Sequence, residues 1–131
     1  MRSFFRSKIH RAKVTHADLQ YEGSLSIDRS LMDAADVAPF EEVHIWNVTR
    51  GSRLETYAMR GEPDSRDICI NGAAAHLAGP GDKVIISAFA SVPEAQLSTF
   101  KPKIVFVDEN NRPVRVGNET PGPRKAGASR S

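Results

Sequence analysis

Gly23 and Ser24 stand between "YE" and the strand-like run "LSID". A serine hydroxyl lies close to the carbonyl of the residue before it. Where the backbone is held in strain, that oxygen can attack the carbonyl and turn the peptide into an ester. Glycine suits the preceding position because it tolerates unusual backbone angles and has no Cβ to obstruct the attack. Taken alone, a Gly-Ser pair reads more simply as a hairpin turn or bulge with its hydroxyl hydrogen-bonded. The remaining chemistry-bearing residues are sparse. The histidines, His10, His16, His44 and His76, show no close metal-ligand spacing. The single cysteine, Cys69, lies in the apolar run "DICIN", which predicts a buried, inert thiol and excludes an intrachain disulfide. There is no glycine-rich phosphate loop and no serine-hydrolase elbow.

The elements that must position these residues are mostly strands. The runs "SKIHRAKVT" (7–15), "EEVHIWNVT" (41–49), "SRLETYAM" (52–59), "DICIN" (67–71), "KVIISAFASV" (83–92) and "KIVFVD" (103–108) are rich in β-branched and aromatic residues. Turn material separates them: "TRGS", "RGEPDSR", "GPGD" and "DENNRP". Val43 and Ile45 alternate with Glu42 and His44, a period of two. Two short helices are expected, one over "IDRSLMDAAD" with Asp28 as N-cap and one over "PEAQLST" opening on Pro93. No long helical pattern separates the strands, so no parallel βαβ unit is predicted. Many short strands in 131 residues suggest a closed β-barrel or a sandwich, all in one domain spanning 1–116. The polar, Gly/Pro-rich tail over 117–131 is expected to be disordered.

Hydrophobic residues make up 40% of the chain and charged residues 26%, an ordinary globular balance. No apolar stretch is long enough for a signal peptide or membrane span, so a soluble, cytoplasmic protein is expected. The net charge of +2 is unevenly spread. Residues 1–13 carry five cations and no acid, residues 14–100 a net −7, and residues 101–131 a net +4. Basic ends can bind phosphates, but no nucleic-acid recognition motif accompanies them.

Three segments in order, "KIHRAKVTHADLQYEGS" (8–24), "IWNVTRGSRLETYA" (45–58) and "INGAAAHLAGPGDKVII" (70–86), resemble the bacterial aspartate 1-decarboxylase family. The likeness runs from about Lys8 to about Ser91 and is loose beyond. It rests on the ordered set "THADL.YEGS", "WNV", "R..TYA" and "NGAAAH", not on Gly-Ser alone. The resemblance implies an all-β, double-psi β-barrel of about six strands, assembled as a homotetramer with active sites between subunits. That assembly gives the uneven charge a plain explanation, complementarity between subunits.

The resemblance also implies autocatalytic cleavage. Ser24 attacks the Gly23 carbonyl, elimination splits the ester, and hydrolysis of the resulting dehydroalanine releases ammonia. A pyruvoyl group then caps residues 24–131, and residues 1–23 form a separate chain. The family decarboxylates L-aspartate to β-alanine and CO2 for pantothenate synthesis. The substrate amine forms a Schiff base with the pyruvoyl ketone, which accepts the electron pair as CO2 leaves. The covalent pyruvoyl group is the sole cofactor expected, without metal or pyridoxal phosphate.

Among positions the family uses, Lys8 and Arg53 are expected to bind the substrate carboxylates, a planar guanidinium being suited to a bidentate contact. Tyr57 matches the family's proton donor and, with Thr56, residues used in self-processing; Thr56 also matches a residue used in substrate binding. Gly72, Ala73 and Ala74 let backbone groups approach a ligand closely, with Asn71 bracing their loop. His10 and His16 are expected to be structural or, at most, related to processing. In a regular strand Arg53 and Tyr57 share one face with Glu55 and oppose Thr56. Glu55 is awkward beside an anionic substrate unless a bulge or an intersubunit pair intervenes. L-Aspartate, three further copies of the chain and an accessory maturation factor are the candidate partners, with no nucleic acid and no membrane. The competing reading is a non-catalytic β-barrel module whose basic ends bind a nucleic acid or a protein.

Overall fold

A computed structural model describes residues 1–22 and 24–124. Gly23, to which the sequence assigns the cleavage, and residues 125–131 lie outside them. Nine strands form one sheet: β1 (Arg2–Lys13), β2 (His16–Asp18), β3 (Leu25–Asp28), β4 (Glu42–Asn47), β5 (Arg53–Gly61), β6 (Ile68–Asn71), β7 (Lys83–Val92), β8 (Lys103–Val107) and β9 (Pro113–Gly117). Their spatial order is β2-β6-β3-β5-β4-β7-β1-β8-β9. The all-β expectation holds, and each of the six predicted runs contains a strand. Three pairings are parallel, β1 with β8, β2 with β6 and β3 with β5. Each needs a crossover, and none is a βαβ unit with a long helix.

One apolar row shows how the sheet encloses its core. Ile9, Ile86 and Ile45 are directly opposite one another on β1, β7 and β4, and Ile45 faces Leu54 on β5. The three isoleucines are at most 1% exposed. Cross-strand partners share a face of the sheet, so this row defines the inner face. The core also takes Leu25, Ile27, Ile68 and Ile70 from the other end of the sheet, with Leu31 and Met32 from the helix.

That helix, α1 (Arg29–Ala35), begins where the sequence predicts, with Asp28 as its N-cap. Asp28 accepts from the Ser30 amide at 2.8 Å, satisfying a donor the first turn would leave open. The same buried carboxylate also accepts from the Asp64 and Arg66 amides. One residue thus starts the helix and anchors the loop between β5 and β6. The second predicted helix is only a 3-10 turn, Glu94–Gln96 behind Pro93. A segment so short cannot offset the cost of a helical nucleus. At the predicted tail, β9 extends to Gly117, and Glu119 makes a contact described below.

The uneven charge is answered partly within the chain. Arg2 meets Glu94, Arg6 meets Glu41 and Asp36, and Lys8 meets Glu119. Complementarity between subunits is therefore not required to explain these three cations.

Candidate active site

Ser24 sits at the entry to β3. Leu25 is paired with Ala58 of β5 on one side and Ile70 of β6 on the other. The serine is therefore flanked by the segments around Thr56 and Asn71. Its hydroxyl hydrogen-bonds to the Thr56 hydroxyl. Its carbonyl accepts from the Asn71 amide at 2.9 Å. Asn71 thus braces the site through its backbone. Gly72 follows with a φ of +65°, and a Cβ built there would stand 3.6 Å from the Tyr21 carbonyl oxygen. The "NGAAAH" segment forms a 3-10 turn over Gly72–His76. It passes beside the chain that leads into the Gly-Ser step. Ala74 points into the core and Ala73 is exposed, so Ala74 can serve a ligand only through its backbone.

β5 separates the other candidates from this cluster. Its alternation is regular, with Arg53, Glu55 and Tyr57 exposed and Leu54, Thr56 and Ala58 facing inward. No bulge interrupts its register with β4. Glu55 therefore does share the face of Arg53 and Tyr57, and a bulge does not relieve the conflict. Glu55 faces His44, His44 faces Ser87, and Ser87 faces Lys8. Lys8, Arg53 and Tyr57 consequently belong to the outer face, opposite the core row. Between β3 and Lys8 on β1 lie β5, β4 and β7. The structure brings Ser24, Thr56, Asn71 and Gly72 together; Lys8 stands on a strand not adjacent to β3, and Arg53 and Tyr57 leave β5 on the face opposite Thr56.

The outer face is aromatic as well as charged. Phe89 packs against Phe5, His44 and Trp46. The Arg53 guanidinium lies over the Trp46 ring at 5.1 Å, which fixes a long side chain without neutralising it. An open cleft of about 420 Å³ on this face is lined by Glu41, Glu42, His44 and Phe89, among others, but by none of Ser24, Lys8 or Arg53. Two acids make it unsuited to a dicarboxylate in a single chain.

Lys8 has a feature that the motifs did not reveal. Its side chain is only 9% exposed, and its ammonium lies 3.1 Å from the Glu119 carboxylate. His10, further along β1, has no partner for its buried Nδ1 among the described residues and packs edge-on against Phe106. Burial first, then the charges of Lys8 and Arg11, push its pKa down. Cys69, expected to be buried, is half-buried instead. Its thiol pKa is raised by burial and then by the Asp67 carboxylate.

A family model described as aspartate decarboxylase matches residues 1–114. This chain belongs to the aspartate decarboxylase family. The match reaches past the Lys8–Ser91 likeness and takes in β8. Among similar proteins, the aspartate 1-decarboxylase of Rhodopirellula baltica is 57% identical over 122 residues, covering 93% of this chain and 78% of the relative. That of Myxococcus xanthus is 57% identical over 128 residues, 97% of this chain and 98% of its own. A Legionella pneumophila aspartate 1-decarboxylase is 52% identical over 121 residues. With nearly whole chains aligned, membership of the family does not depend on the site motifs alone.

Proposed function

We propose that this chain decarboxylates L-aspartate to β-alanine and CO2, in the service of pantothenate synthesis, after cutting itself between Gly23 and Ser24. One observation carries the reading. In a chain of the aspartate decarboxylase family, the side-chain hydroxyl of Ser24 is held by Thr56 and its backbone carbonyl by Asn71. A nucleophile fixed against rotation meets the adjacent carbonyl without first losing rotamer freedom. In the cleavage, the Ser24 oxygen bonds to the Gly23 carbonyl carbon as the bond from that carbon to the Ser24 nitrogen breaks; the hydroxyl's proton passes by way of the Thr56 hydroxyl to that nitrogen, and elimination across the resulting ester parts the two chains.

A pyruvoyl group made from Ser24 supplies the ketone on which the substrate amine and the departing electron pair are accommodated. Lys8 and Arg53 counter the two carboxylates, Tyr57 delivers a proton from its phenol, and Gly72 and Ala73 lie against the substrate backbone. Tyr57 and Thr56 leave β5 on opposite faces, and Lys8 stands on β1 with β5, β4 and β7 between it and β3. The complete site is therefore built between copies, in a homotetramer. The reaction needs no metal or pyridoxal phosphate, and an accessory maturation factor is a candidate partner. No helix among the described residues is long and apolar enough to cross a membrane, and the cytoplasm is the assigned compartment. The alternative, a binding module with basic ends, is weakened by the acids already paired with Arg2, Arg6 and Lys8.

Intact mass of denatured protein tests the proposal. The parent should yield two fragments, residues 1–23 and a pyruvoyl-capped 24–131, while Ser24→Ala should yield one chain. An uncut parent that still releases CO2 from L-aspartate would overturn the self-cleavage, and a cut parent that releases none would overturn the activity.

A further inference from the structure

β2 runs parallel to β6 with His16 directly opposite Cys69. Partners in a ladder project from the same face, and Asp67, two residues before Cys69, joins them. His16 Nδ1 lies 3.7 Å from Cys69 Sγ and 3.8 Å from Asp67 Oδ1. The three donor atoms all fall within 4.8 Å of one another. None has a part in the decarboxylation described above.

A cysteine, a histidine and an aspartate together suggest either a nucleophile relay or a metal cage. In a relay the carboxylate binds one ring nitrogen and the nucleophile the other. Here thiol and carboxylate both converge on Nδ1. That is the geometry of ligands aimed at a common point. Bond lengths of ~2.0–2.1 Å for zinc to nitrogen and ~2.3 Å to sulfur, at a tetrahedral angle, put those two atoms about 3.6 Å apart. The corresponding nitrogen–oxygen separation is about 3.4 Å. The observed 3.7 Å and 3.8 Å exceed these by about 0.1 Å and about 0.4 Å, within the reach of small side-chain rotations.

We propose that His16 Nδ1, Cys69 Sγ and the Asp67 carboxylate form a three-ligand site for a divalent cation of the zinc class, with water in the fourth position. One soft, one borderline and one hard ligand favour zinc or cobalt over magnesium or calcium. Access is open, since β2 is an edge strand and the His16 side chain is 64% exposed. The Thr15 hydroxyl, 2.8 Å from Nδ1, also bonds the Ile68 backbone, so it can release the ring nitrogen without losing all its partners. Bound metal would clip the strand that precedes Tyr21–Ser24 to the strand whose Asn71 holds the Ser24 carbonyl. A second group, Glu42, His44 and Glu55, also brings its ligand atoms within 4.8 Å, but it contains no sulfur.

Titration of the untagged, metal-free full chain with Co²⁺, followed by displacement with Zn²⁺, tests the site. The expected result is one equivalent per chain, a near-ultraviolet thiolate-to-cobalt band, and visible bands of tetrahedral intensity. Cys69→Ser should abolish the near-ultraviolet band, and His16→Ala should weaken binding at least tenfold. Zinc should raise the melting temperature of the parent but not of Cys69→Ser. The parent's own cobalt spectrum decides without any variant: no saturable binding, or a spectrum without the thiolate band, overturns the site. So does a cobalt signal lost in His44→Ala and kept in Cys69→Ser.

Discussion

Lys8 and Glu119 show how a single pair can set substrate affinity. The ammonium assigned to a substrate carboxylate already holds a carboxylate of its own chain, 3.1 Å away. In the proposed site, aspartate displaces Glu119 or shares Lys8 with it. Glu119 is 48% exposed, so solvent screens the pair, and a worth of ~0.2–1 kcal/mol is appropriate. Glu119→Gln should therefore lower KM for L-aspartate by about 1.5- to 5-fold, which follows from that energy, with kcat little changed. Steady-state CO2 release measures both constants, and an unchanged or raised KM would show that Glu119 does not compete. The motif "KIHRAKV" pointed to Lys8, but nothing in it pointed to Glu119. An ion pair between residues so distant in the chain leaves no local pattern.

Among the elements, the turn after β6 combines a strained residue with the reactive segment. Gly72 lies at φ +65° beside Tyr21, and Gly51, in the turn between β4 and β5, lies at φ +80° with open space around it. A side chain in the left-handed region costs roughly 1–2 kcal/mol at either place. Gly72→Ala and Gly51→Ala should thus lose similar stability in thermal melts. Only Gly72→Ala should slow the appearance of the cleaved chain, because only Gly72 adjoins Tyr21 and follows Asn71. Equal cleavage rates would separate that turn from processing. At this scale the strand alternation around Val43 and Ile45 was readable, since each strand buries one face. The regular face of β5 was readable too, and with it the grouping of Arg53, Glu55 and Tyr57. The parallel pairing of β3 with β5 was not, because alternation says which side of a strand is buried and not which strand lies beside it.

Taken as a whole, the molecule divides its chemistry between two faces of one sheet. Ser24 and Thr56 are on one side of β5 and Tyr57 on the other. Complementation tests whether copies share a site. Ser24→Ala retains Tyr57 but has no source of the ketone, and Tyr57→Phe, once processed, retains the ketone but lacks the donor. Each alone should be without turnover. Co-expressed and randomly assembled, they should regain about a quarter of the parent activity, since one pairing in four unites an intact Ser24 with a neighbour's intact Tyr57. Activity that stays at the sum of the two variants would place both residues of a working site in one chain.

The sequence by itself determined the family, through an ordered set of local motifs, and with it the Gly23-Ser24 junction and the residues to inspect. It also determined six of the nine strands, though not β2 or β9, and the helix capped by Asp28, because side-chain periodicity and capping act over a few residues. Only the tertiary structure decided which distant segments meet. It put Thr56 and Asn71 on Ser24, Glu119 on Lys8, and His16 against Cys69, 53 residues away. Such contacts depend on the crossovers that set strand order, and these are fixed by how the whole core closes.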